Sequence, residues 1–354
     1  MTQAAPAPMK VAMIGLGGVA QAHLQAFEVL DTLDLVAVCD VRAEAVDEVS
    51  SRFRAGAYTD YNRLLASESV DLVMVLTPAS THRSIVEAVA AAGFHVFCEK
   101  PIAVTLEDGE AIVAACEAAG VKLFYGSCYR YLPAVVKARE LIQSGAIGEV
   151  QLLTEQVIGG NGAAGYRHLA PIHYPLGGPG GPGMGLVDHG VHLVDIFPWL
   201  TGSEIVSAQG IGQISGEAPI TETMHMQLAN GAVGHLLYNA ATYSSGVPNE
   251  GMFSGGQGYL SDSSVAEAGG WESEPGSISV YGTQGSLRVF HYTNALFINN
   301  GDGPQQVALT GRPAFGHFAT QLEDCAAVIA ADGTSSITGE DGIRALAAML
   351  QVYS

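Results

Sequence analysis

The sequence has few positive charges and few charges of any kind. Charged residues make up 14% of the 354 positions, and 15 lysines and arginines stand against 35 aspartates and glutamates, for a formal net charge of −20. A field of this sign repels nucleic-acid phosphates and anionic bilayers, so neither nucleic acid nor membrane is expected as a partner. Hydrophobic residues, at 48% of the chain, exclude a disordered protein.

Long apolar runs and paired cysteines are also missing. No run approaches the roughly 18 residues of a membrane-spanning helix. The first ten residues lack the charged segment and apolar core of a signal peptide. The five cysteines are odd in number, and none forms a CxxC pair. We therefore expect buried thiols and a cytoplasmic protein.

In the first part of the chain, the spacing of apolar residues alternates between two patterns. Short apolar runs are separated by segments with helical spacing, and this alternation predicts a doubly wound α/β fold with a parallel sheet covered on both faces. A length of 354 residues exceeds one ordinary core and predicts two domains, which we place at 1–128 and 129–354. The apolar runs lie at 10–15, 34–39, 70–76, 93–98 and 121–125.

The second part of the chain changes to alternating patterns. Asn230-Gly231 lies between two alternating runs, and a similar turn lies at 282–285, so two β-hairpins are predicted. These strands predict an α+β domain with a large, mostly antiparallel open sheet, whose uncovered face is expected to bind a partner subunit. Residues 159–185 hold ten glycines and four prolines and predict an irregular loop. A strand is predicted at 150–158, helices at 133–144, 186–200, 317–331 and 340–353, and a surface excursion at 244–276.

The first candidate site follows the first apolar run. Gly15 permits a tight turn, Gly17 lets a pyrophosphate approach the backbone, and Ala20 lets helix and strand pack closely. The pyrophosphate would lie at the helix N-terminus, where N–H groups and the dipole favour an anion. Asp40 follows the second run, at the position where a carboxylate binds the ribose hydroxyls, and this favours NAD. Arg42 keeps NADP possible as the cofactor. The alternative is a glycine-rich turn that binds no ligand. The candidate contacts in the loop are Gly15, Leu16, Gly17, Gly18, Val19 and Ala20.

Two polar segments follow later apolar runs. Thr77, Pro78 and His82 come after the run at 70–76, and Glu99 and Lys100 come at the end of the run at 93–98. In an open α/β sheet, ligands bind beyond the carboxyl ends of the strands, so both segments are candidates for the same crevice. The alternatives are a turn proline with a surface histidine, and an exposed charged pair at a strand end.

The fourth candidate is the run Asp-His-Gly-Val-His-Leu-Val-Asp that follows the glycine-rich loop. Helical spacing places Asp188, His192 and Asp195 on one face. An imidazole beside a carboxylate is suited to moving a hydroxyl proton, and a structural His–Asp pair is the alternative. A metal ion could also be bound by Asp188, His189 and His192. Their spacing in the sequence is not that of a zinc site, so no metal is expected.

Taken together, these residues resemble the Gfo/Idh/MocA family of oxidoreductases, which includes relatives of glucose–fructose oxidoreductase and inositol 2-dehydrogenase. The resemblance covers nearly the whole chain. It implies an N-terminal Rossmann domain that binds a dinucleotide and a C-terminal domain for substrate binding and oligomerisation, in a homodimer or homotetramer formed through the open sheet. Beyond the candidate sites, the resemblance extends to the segments 126–133, 145–150, 282–286 and 338–342.

The same resemblance implies roles for individual residues. Lys100, Asp188 and His192 would form the catalytic group. The cofactor would bind the glycine loop with Asp40 and Arg42, and also Thr77, Pro78, His82, Glu99, Lys100 and Cys128. The substrate would contact Tyr129, Arg167, Asp188 and His192. Two positions depart from the family pattern, since Cys128 stands where asparagine is common and Tyr166-Arg167 stands in place of Trp-Arg.

The predicted function is hydride transfer between NAD and a hydroxyl or keto carbon of a sugar, cyclitol or related polyol, with NADP as the open alternative cofactor. Residues 139–354 contain five basic and nineteen acidic side chains, which suits a neutral substrate better than an anionic one. Two alternatives remain. One is an enzyme that retains NAD and cleaves or rearranges a glycoside through transient oxidation, and the other is a dinucleotide or sugar sensor without turnover.

Overall fold

The computed structural model describes residues 7–158, 174–175, 184–211, 221–239, 277–291, 294–312 and 316–354. Two compact units divide the chain. The first unit comprises residues 1–127 and 318–343, and the second comprises 128–317 and 344–354. The predicted loop at 159–185 lies mostly outside the described residues, and the predicted excursion at 244–276 lies wholly outside them.

The first unit is built on a parallel sheet. In its described part, six strands lie in the order β3-β2-β1-β4-β5-β6, and every neighbouring pair is parallel. This is the doubly wound order in which the chain reverses direction of travel between β1 and β4. The predicted α/β fold is confirmed. The strands are β1 (Met9–Ile14), β2 (Leu33–Cys39), β3 (Gly56–Tyr58), β4 (Leu72–Val75), β5 (His95–Glu99) and β6 (Leu123–Gly126).

Helices connect these strands, as the helical spacing predicts. The four residues of β4 are fully buried, because a parallel sheet covered on both faces has no solvent side. Residues 318–343 also belong to this unit, where the Gln321 side chain donates a hydrogen bond to the Tyr125 carbonyl at 3.3 Å. The connecting helices are α1 (Gly18–Val29), α2 (Ala43–Phe53), α3 (Tyr61–Ser67), α4 (His82–Ala91) and α5 (Leu106–Ala119).

The second unit contains a mixed sheet in which antiparallel pairs predominate. Its described strands lie in the order β14-β13-β12-β11-β7-β10-β9-β8, and β7 with β10 is the parallel pair. Both predicted hairpins are confirmed, since β9 pairs with β10 and β11 pairs with β12 in antiparallel register. The strands are β7 (Val150–Ile158), β8 (Ile205–Ile211), β9 (Glu222–Leu228), β10 (Val233–Asn239), β11 (Ile278–Gly282), β12 (Ser286–Phe290), β13 (Ala295–Asn299) and β14 (Gln305–Gln306).

One face of this second sheet is packed and the other is open in the single chain. Along β9, Met224 and Met226 are buried, whereas His225 between them is exposed. On β11, Tyr281 is 44% exposed. Alternation of this kind is typical of an antiparallel sheet with one solvated face. The homo-oligomer expected at this face stays a prediction.

Helices α6 (Pro133–Gln143) and α7 (Val187–Thr201) pack against strands of the second sheet. Nearly every residue of α7 is buried, including two histidines and an aspartate. A helix that is buried all round forms the core of its unit. Gly190 makes this packing close, because a Cβ at that position would lie 3.2 Å from the Met349 side chain. Two more helices follow along the chain: α8 (Gly316–Ala330) lies largely in the first unit, and α9 (Gly339–Leu350) is divided between the units after Ile343.

The cysteines and the membrane prediction can be compared directly with the structure. All five cysteines are buried and unbridged, as expected. Burial raises the pKa of the Cys39 thiol to about 11 and that of Cys116 to about 12, which keeps both protonated at neutral pH. Among the described residues, no helix combines the length and apolar character that crossing a bilayer requires.

Candidate active site

The glycine loop lies between β1 and α1, at the carboxyl edge of the parallel sheet. Gly15 has a φ of +95°, and a Cβ there would lie 2.7 Å from the Leu76 carbonyl carbon. Side chains rarely adopt this φ, so the turn requires glycine. Gly17 and Gly18 differ, because a Cβ at either position would have no atom within 4 Å. The loop therefore leaves open space against the N-terminus of α1, which fits the close approach of a pyrophosphate.

Replacing these two glycines is expected to separate folding from cofactor binding. Gly15→Ala combines a left-handed φ with backbone overlap, and should destabilise the first unit by roughly 2–5 kcal/mol. Gly17→Ala should change stability by less than about 0.5 kcal/mol and still weaken dinucleotide binding, because its methyl group projects into the open space. Thermal unfolding and NADH fluorescence titration measure the two effects. A Gly15→Ala variant as stable as Gly17→Ala would contradict this account of the turn.

Asp40 follows β2 and is bonded directly to the glycine loop. Its Oδ2 accepts a hydrogen bond from the Leu16 N–H at 2.7 Å, and its Oδ1 accepts from the Arg42 N–H at 2.9 Å and from Arg42 Nε at 3.1 Å. Partial burial acts to raise the pKa of Asp40, but the hydrogen bonds from Arg42 and Leu16 outweigh it and lower the pKa. Asp40 is therefore an ionised carboxylate fixed at the edge of the loop, which suits recognition of ribose hydroxyls.

The Thr77-Pro78 segment follows β4, and His82 lies beneath it. His82 is fully buried at the beginning of α4, with Nε2 2.8 Å from the Thr77 carbonyl and Nδ1 3.1 Å from the Ile102 carbonyl. Burial lowers the pKa of His82. Its imidazole thus connects two backbone segments. His82 would therefore hold Thr77 in position beside a cofactor and would not contact the cofactor itself.

Glu99 and Lys100 end β5, and the two side chains differ in exposure. Glu99 is buried, and its Oε1 lies 3.1 Å from His23 Nε2 on α1, whereas its Oε2 accepts a hydrogen bond from the Lys100 N–H at 2.7 Å. Lys100 is half-buried, and the peptide bond between Lys100 and Pro101 is cis. Glu99 therefore holds the backbone of Lys100 in place and connects the end of β5 to α1.

In the second unit, the predicted helix begins with the Asp-x-Gly-x-His-x-x-Asp run. His192 is buried, and its imidazole stacks on the Tyr129 ring with a centroid distance of 3.9 Å and an interplanar angle of 4°. Asp188 is half-buried, and its Oδ1 accepts a hydrogen bond from the Tyr174 hydroxyl at 2.6 Å. A neighbouring aromatic ring thus fixes the plane of the His192 imidazole. Tyr129 itself is fully buried, and its assignment to the substrate stays a prediction.

Asp195, the last residue of the run, has a different environment. Its carboxylate accepts two hydrogen bonds from Arg130, one from Nε to Oδ2 at 2.9 Å and one from Nη2 to Oδ1. Both side chains are buried, and a two-point Arg–carboxylate pair of this kind is strong and directional. The pair connects α7 to the turn that carries Tyr129, so Asp195 serves the site by fixing its geometry.

Glu155, His189 and His291 form a buried cluster that sequence analysis did not predict. His189 Nε2 lies 2.6 Å from Glu155 Oε2, and His291 Nε2 lies 3.2 Å from Glu155 Oε1. Burial raises the pKa of Glu155, against an opposing effect of His189, and burial lowers the pKa of His291 well below its usual value. The sequence held one signal for this cluster. In the predicted strand 150–158, Glu155 lies two residues after the buried Leu153, so its carboxylate points to the same buried face.

Two predicted contacts remain, Cys128 of the cofactor group and Arg167 of the substrate group. Cys128 is buried, 2% exposed. Arg167, with the neighbouring Tyr166, lies outside the part of the chain that the structure describes. The assignment of Arg167 to the substrate therefore stays a prediction.

Comparison with protein families and known proteins identifies both halves of the chain. Residues 9–127 match the model of an oxidoreductase family with an NAD-binding Rossmann fold, and residues 135–288 match the GFO/IDH/MocA C-terminal domain. The chain is 39% identical over 140 residues to D-apiose dehydrogenase of Paraburkholderia graminis, a match that covers 39% of this chain and 37% of that protein. It is 33% identical over 146 residues to myo-inositol 2-dehydrogenase of Thermotoga maritima, covering 41% and 44%.

These matches span less than half the length of either curated relative. A solved structure is similar over a longer range. Aldose-aldose oxidoreductase from Caulobacter crescentus, in complex with glycerol, superposes with a TM-score of 0.79 at 22% identity, covering 98% of this chain and 96% of that one. This similarity shows that the two chains share a fold.

Proposed function

Because the chain belongs to the Gfo/Idh/MocA family of oxidoreductases, we propose that it transfers a hydride between NAD and a hydroxyl-bearing carbon of a neutral sugar, cyclitol or related polyol. The observation that carries this proposal is the open loop at Gly17 and Gly18 with the Asp40 carboxylate bonded to the Leu16 N–H. The names of the relatives, an apiose dehydrogenase and an inositol dehydrogenase, support the substrate class.

The dinucleotide fits the residues of the first unit. The N–H groups at the start of α1 would bind the pyrophosphate, and the ionised Asp40 would accept hydrogen bonds from the ribose hydroxyls. Thr77 and Pro78, at the end of β4, would contact the cofactor beyond the loop. The bound nicotinamide would supply the hydride acceptor, and the remaining chemistry falls to side chains of this protein.

Three side chains would handle the substrate hydroxyl. A ring nitrogen of His192 would accept the hydroxyl proton as the carbinol hydride leaves, which is general-base catalysis. Lys100 Nζ would donate a hydrogen bond to the same oxygen and stabilise the charge that develops on it. Asp188 would orient the substrate or the imidazole. Tyr129, stacked on His192, would keep that ring in one plane, and Glu99 would hold the backbone of Lys100.

The direct test is to follow the near-ultraviolet absorbance of reduced nicotinamide while neutral sugars and cyclitols are added with NAD, and then with NADP. A rising signal is expected with NAD. It would establish turnover and narrow the substrate class. A flat signal across the panel, with NAD demonstrably bound, would contradict the proposal and favour an enzyme that retains its cofactor or a sensor.

Asp40→Ala is expected to weaken NAD binding by about 10- to 100-fold, because a hydrogen-bonded carboxylate at the ribose is worth roughly 1.5–3 kcal/mol. The ratio of NADP to NAD affinity should rise, since the charge that repels a 2′-phosphate is lost. Arg42→Ala is the matched control. It removes the bonds from the Arg42 side chain but keeps the two backbone N–H bonds to the Asp40 carboxylate, so NAD binding should persist and any NADP binding should fall. Titration of both cofactors into both variants measures these effects, and unchanged NAD affinity in Asp40→Ala would remove Asp40 from the ribose site.

A further inference from the structure

Three side chains from distant parts of the sequence meet in the interior of the second unit. Glu155 lies on β7, His189 lies on α7, and His291 directly follows β12. One ligand atom from each, a carboxylate oxygen and two imidazole nitrogens, lies within 4.8 Å of the other two. All three residues are at most 5% exposed. Three ligand-bearing groups are therefore concentrated where water has little access.

The hydrogen bonds of the cluster leave its carboxylate incompletely satisfied. The bond to His189 accounts for Glu155 Oε2. Glu155 Oε1 faces His291 Nε2 at 3.2 Å, but it accepts no hydrogen bond with acceptable geometry from any residue that the structure describes. A buried carboxylate oxygen that accepts no hydrogen bond is unfavourable. A cation located between Oε1 and the two imidazoles would satisfy it.

The ligand set indicates which kind of cation fits. Two imidazole nitrogens with one carboxylate suit first-row divalent transition metals, and Zn²⁺ in particular takes sites of three histidine or carboxylate ligands plus a fourth ligand from solvent. Magnesium and calcium prefer oxygen ligands and are disfavoured here. In a tetrahedral zinc site the ligand atoms are about 3.3 Å apart. Glu155 Oε1 and His291 Nε2 lie 3.2 Å apart, and one ligand atom of each of the three residues lies within 4.8 Å of the other two.

We propose that Glu155, His189 and His291 bind one divalent transition-metal ion, with Zn²⁺ as the favoured ion. The site differs from the Asp188, His189 and His192 combination that sequence spacing argues against. The ion would join β7, α7 and the segment after β12 beside Tyr129, whose ring centroid lies 5.2 Å from that of His291 and 6.1 Å from that of His189. The inference goes beyond the proposed hydride transfer and does not depend on it.

The test is the metal content of the full-length protein without a polyhistidine tag. After Zn²⁺ loading and dialysis, elemental analysis should give about one ion per chain. Glu155→Gln and His291→Gln should each reduce the retained zinc at least tenfold. His225→Ala is the matched control, because exposed His225 stacks on His235 at 4.6 Å and could bind metal adventitiously. Retention of about one ion in this control is expected. Loss of the ion in His225→Ala, or no uptake by the unmodified chain, would overturn the proposal.

Cobalt provides a second measurement on the unmodified protein, in case a buried substitution prevents folding. Co²⁺ in the proposed site should give the intense visible absorption of a four-coordinate ion, and equimolar Zn²⁺ should displace it. The weak spectrum of hexaaqua-like cobalt would contradict the site. Circular dichroism checks that each variant is folded, and Zn²⁺ should raise the unfolding temperature of the unmodified chain but not that of folded Glu155→Gln. These readouts are independent of turnover.

Discussion

Replacement of His192 by alanine is expected to lower the rate of substrate oxidation by about 10²- to 10⁴-fold, which is the usual contribution of a positioned general base. The imidazole is held in one plane by its stack on Tyr129, with 3.9 Å between ring centroids. We therefore expect kcat and kcat/KM to fall together, because the lost interaction acts in the transition state. NAD binding should be retained, since the glycine loop and Asp40 are unchanged.

Lys100→Ala should lower the same rate by about 10²- to 10³-fold, through loss of the donor that stabilises the developing alkoxide. Lys122→Ala is its matched control, because Lys122 Nζ is bonded to Asp332 Oδ1 and the Gly333 carbonyl at 2.8 Å each, away from the proposed chemistry. For His192, the control is the exposed His225→Ala. Steady-state kinetics and NADH titration separate catalysis from binding. Normal turnover of both His192→Ala and Lys100→Ala would show that the catalytic assignment is wrong.

Removal of the Asp195 carboxylate is expected to have the largest effect on stability. Arg130 and Asp195 are 8% and 1% exposed and share two hydrogen bonds. Asp195→Ala leaves a buried guanidinium without its counter-charge, which is expected to destabilise the second unit by about 3–5 kcal/mol. For a unit of this size the unfolding temperature should fall by roughly 6–20 °C.

The control for this prediction is an exposed ion pair in the same unit. Glu204 lies 3.8 Å from Arg344, and both side chains are more than half exposed, so Glu204→Ala should change stability by less than about 1 kcal/mol. The double variant Arg130→Met with Asp195→Leu should recover part of the loss, since no unpaired buried charge remains. Calorimetry gives the unfolding temperatures of the three variants and so their order of stability. An Asp195→Ala variant as stable as Glu204→Ala would contradict the structural role of the pair.

The buried ion pair and the proposed general base are connected through two consecutive residues of one short turn. Tyr129 stacks on His192, and Arg130 binds Asp195 one helical turn further along α7. The Asp-x-Gly-x-His-x-x-Asp run thus contains a side chain assigned to the chemistry and a side chain that fixes the helix. From spacing alone the two roles could not be separated, because both residues lie on the same helical face.

The sequence by itself determined the features that depend on local chemistry. Apolar runs between helical segments predicted the parallel sheet, although the short strand β3 (Gly56–Tyr58) is not among the predicted runs, since three residues show no period. The turn at Asn230-Gly231 specified a hairpin, because its geometry requires residues that tolerate positive φ. Gly15 was recognisable for the same reason, since its φ is +95°, whereas the role of Asp40 stays a prediction.

The tertiary structure alone decided which distant residues meet. Glu155 and His291 are 136 positions apart, and they come together because β7 pairs with β11 and β11 pairs with β12. Tertiary structure also decided two further features, the parallel pairing of β7 with β10 and the return of residues 318–343 to the first unit. An alternating pattern shows which face of a strand is buried but not which strand lies beside it. Strand order is set by the packing of the whole unit, and it is this order that creates the buried cluster next to Tyr129.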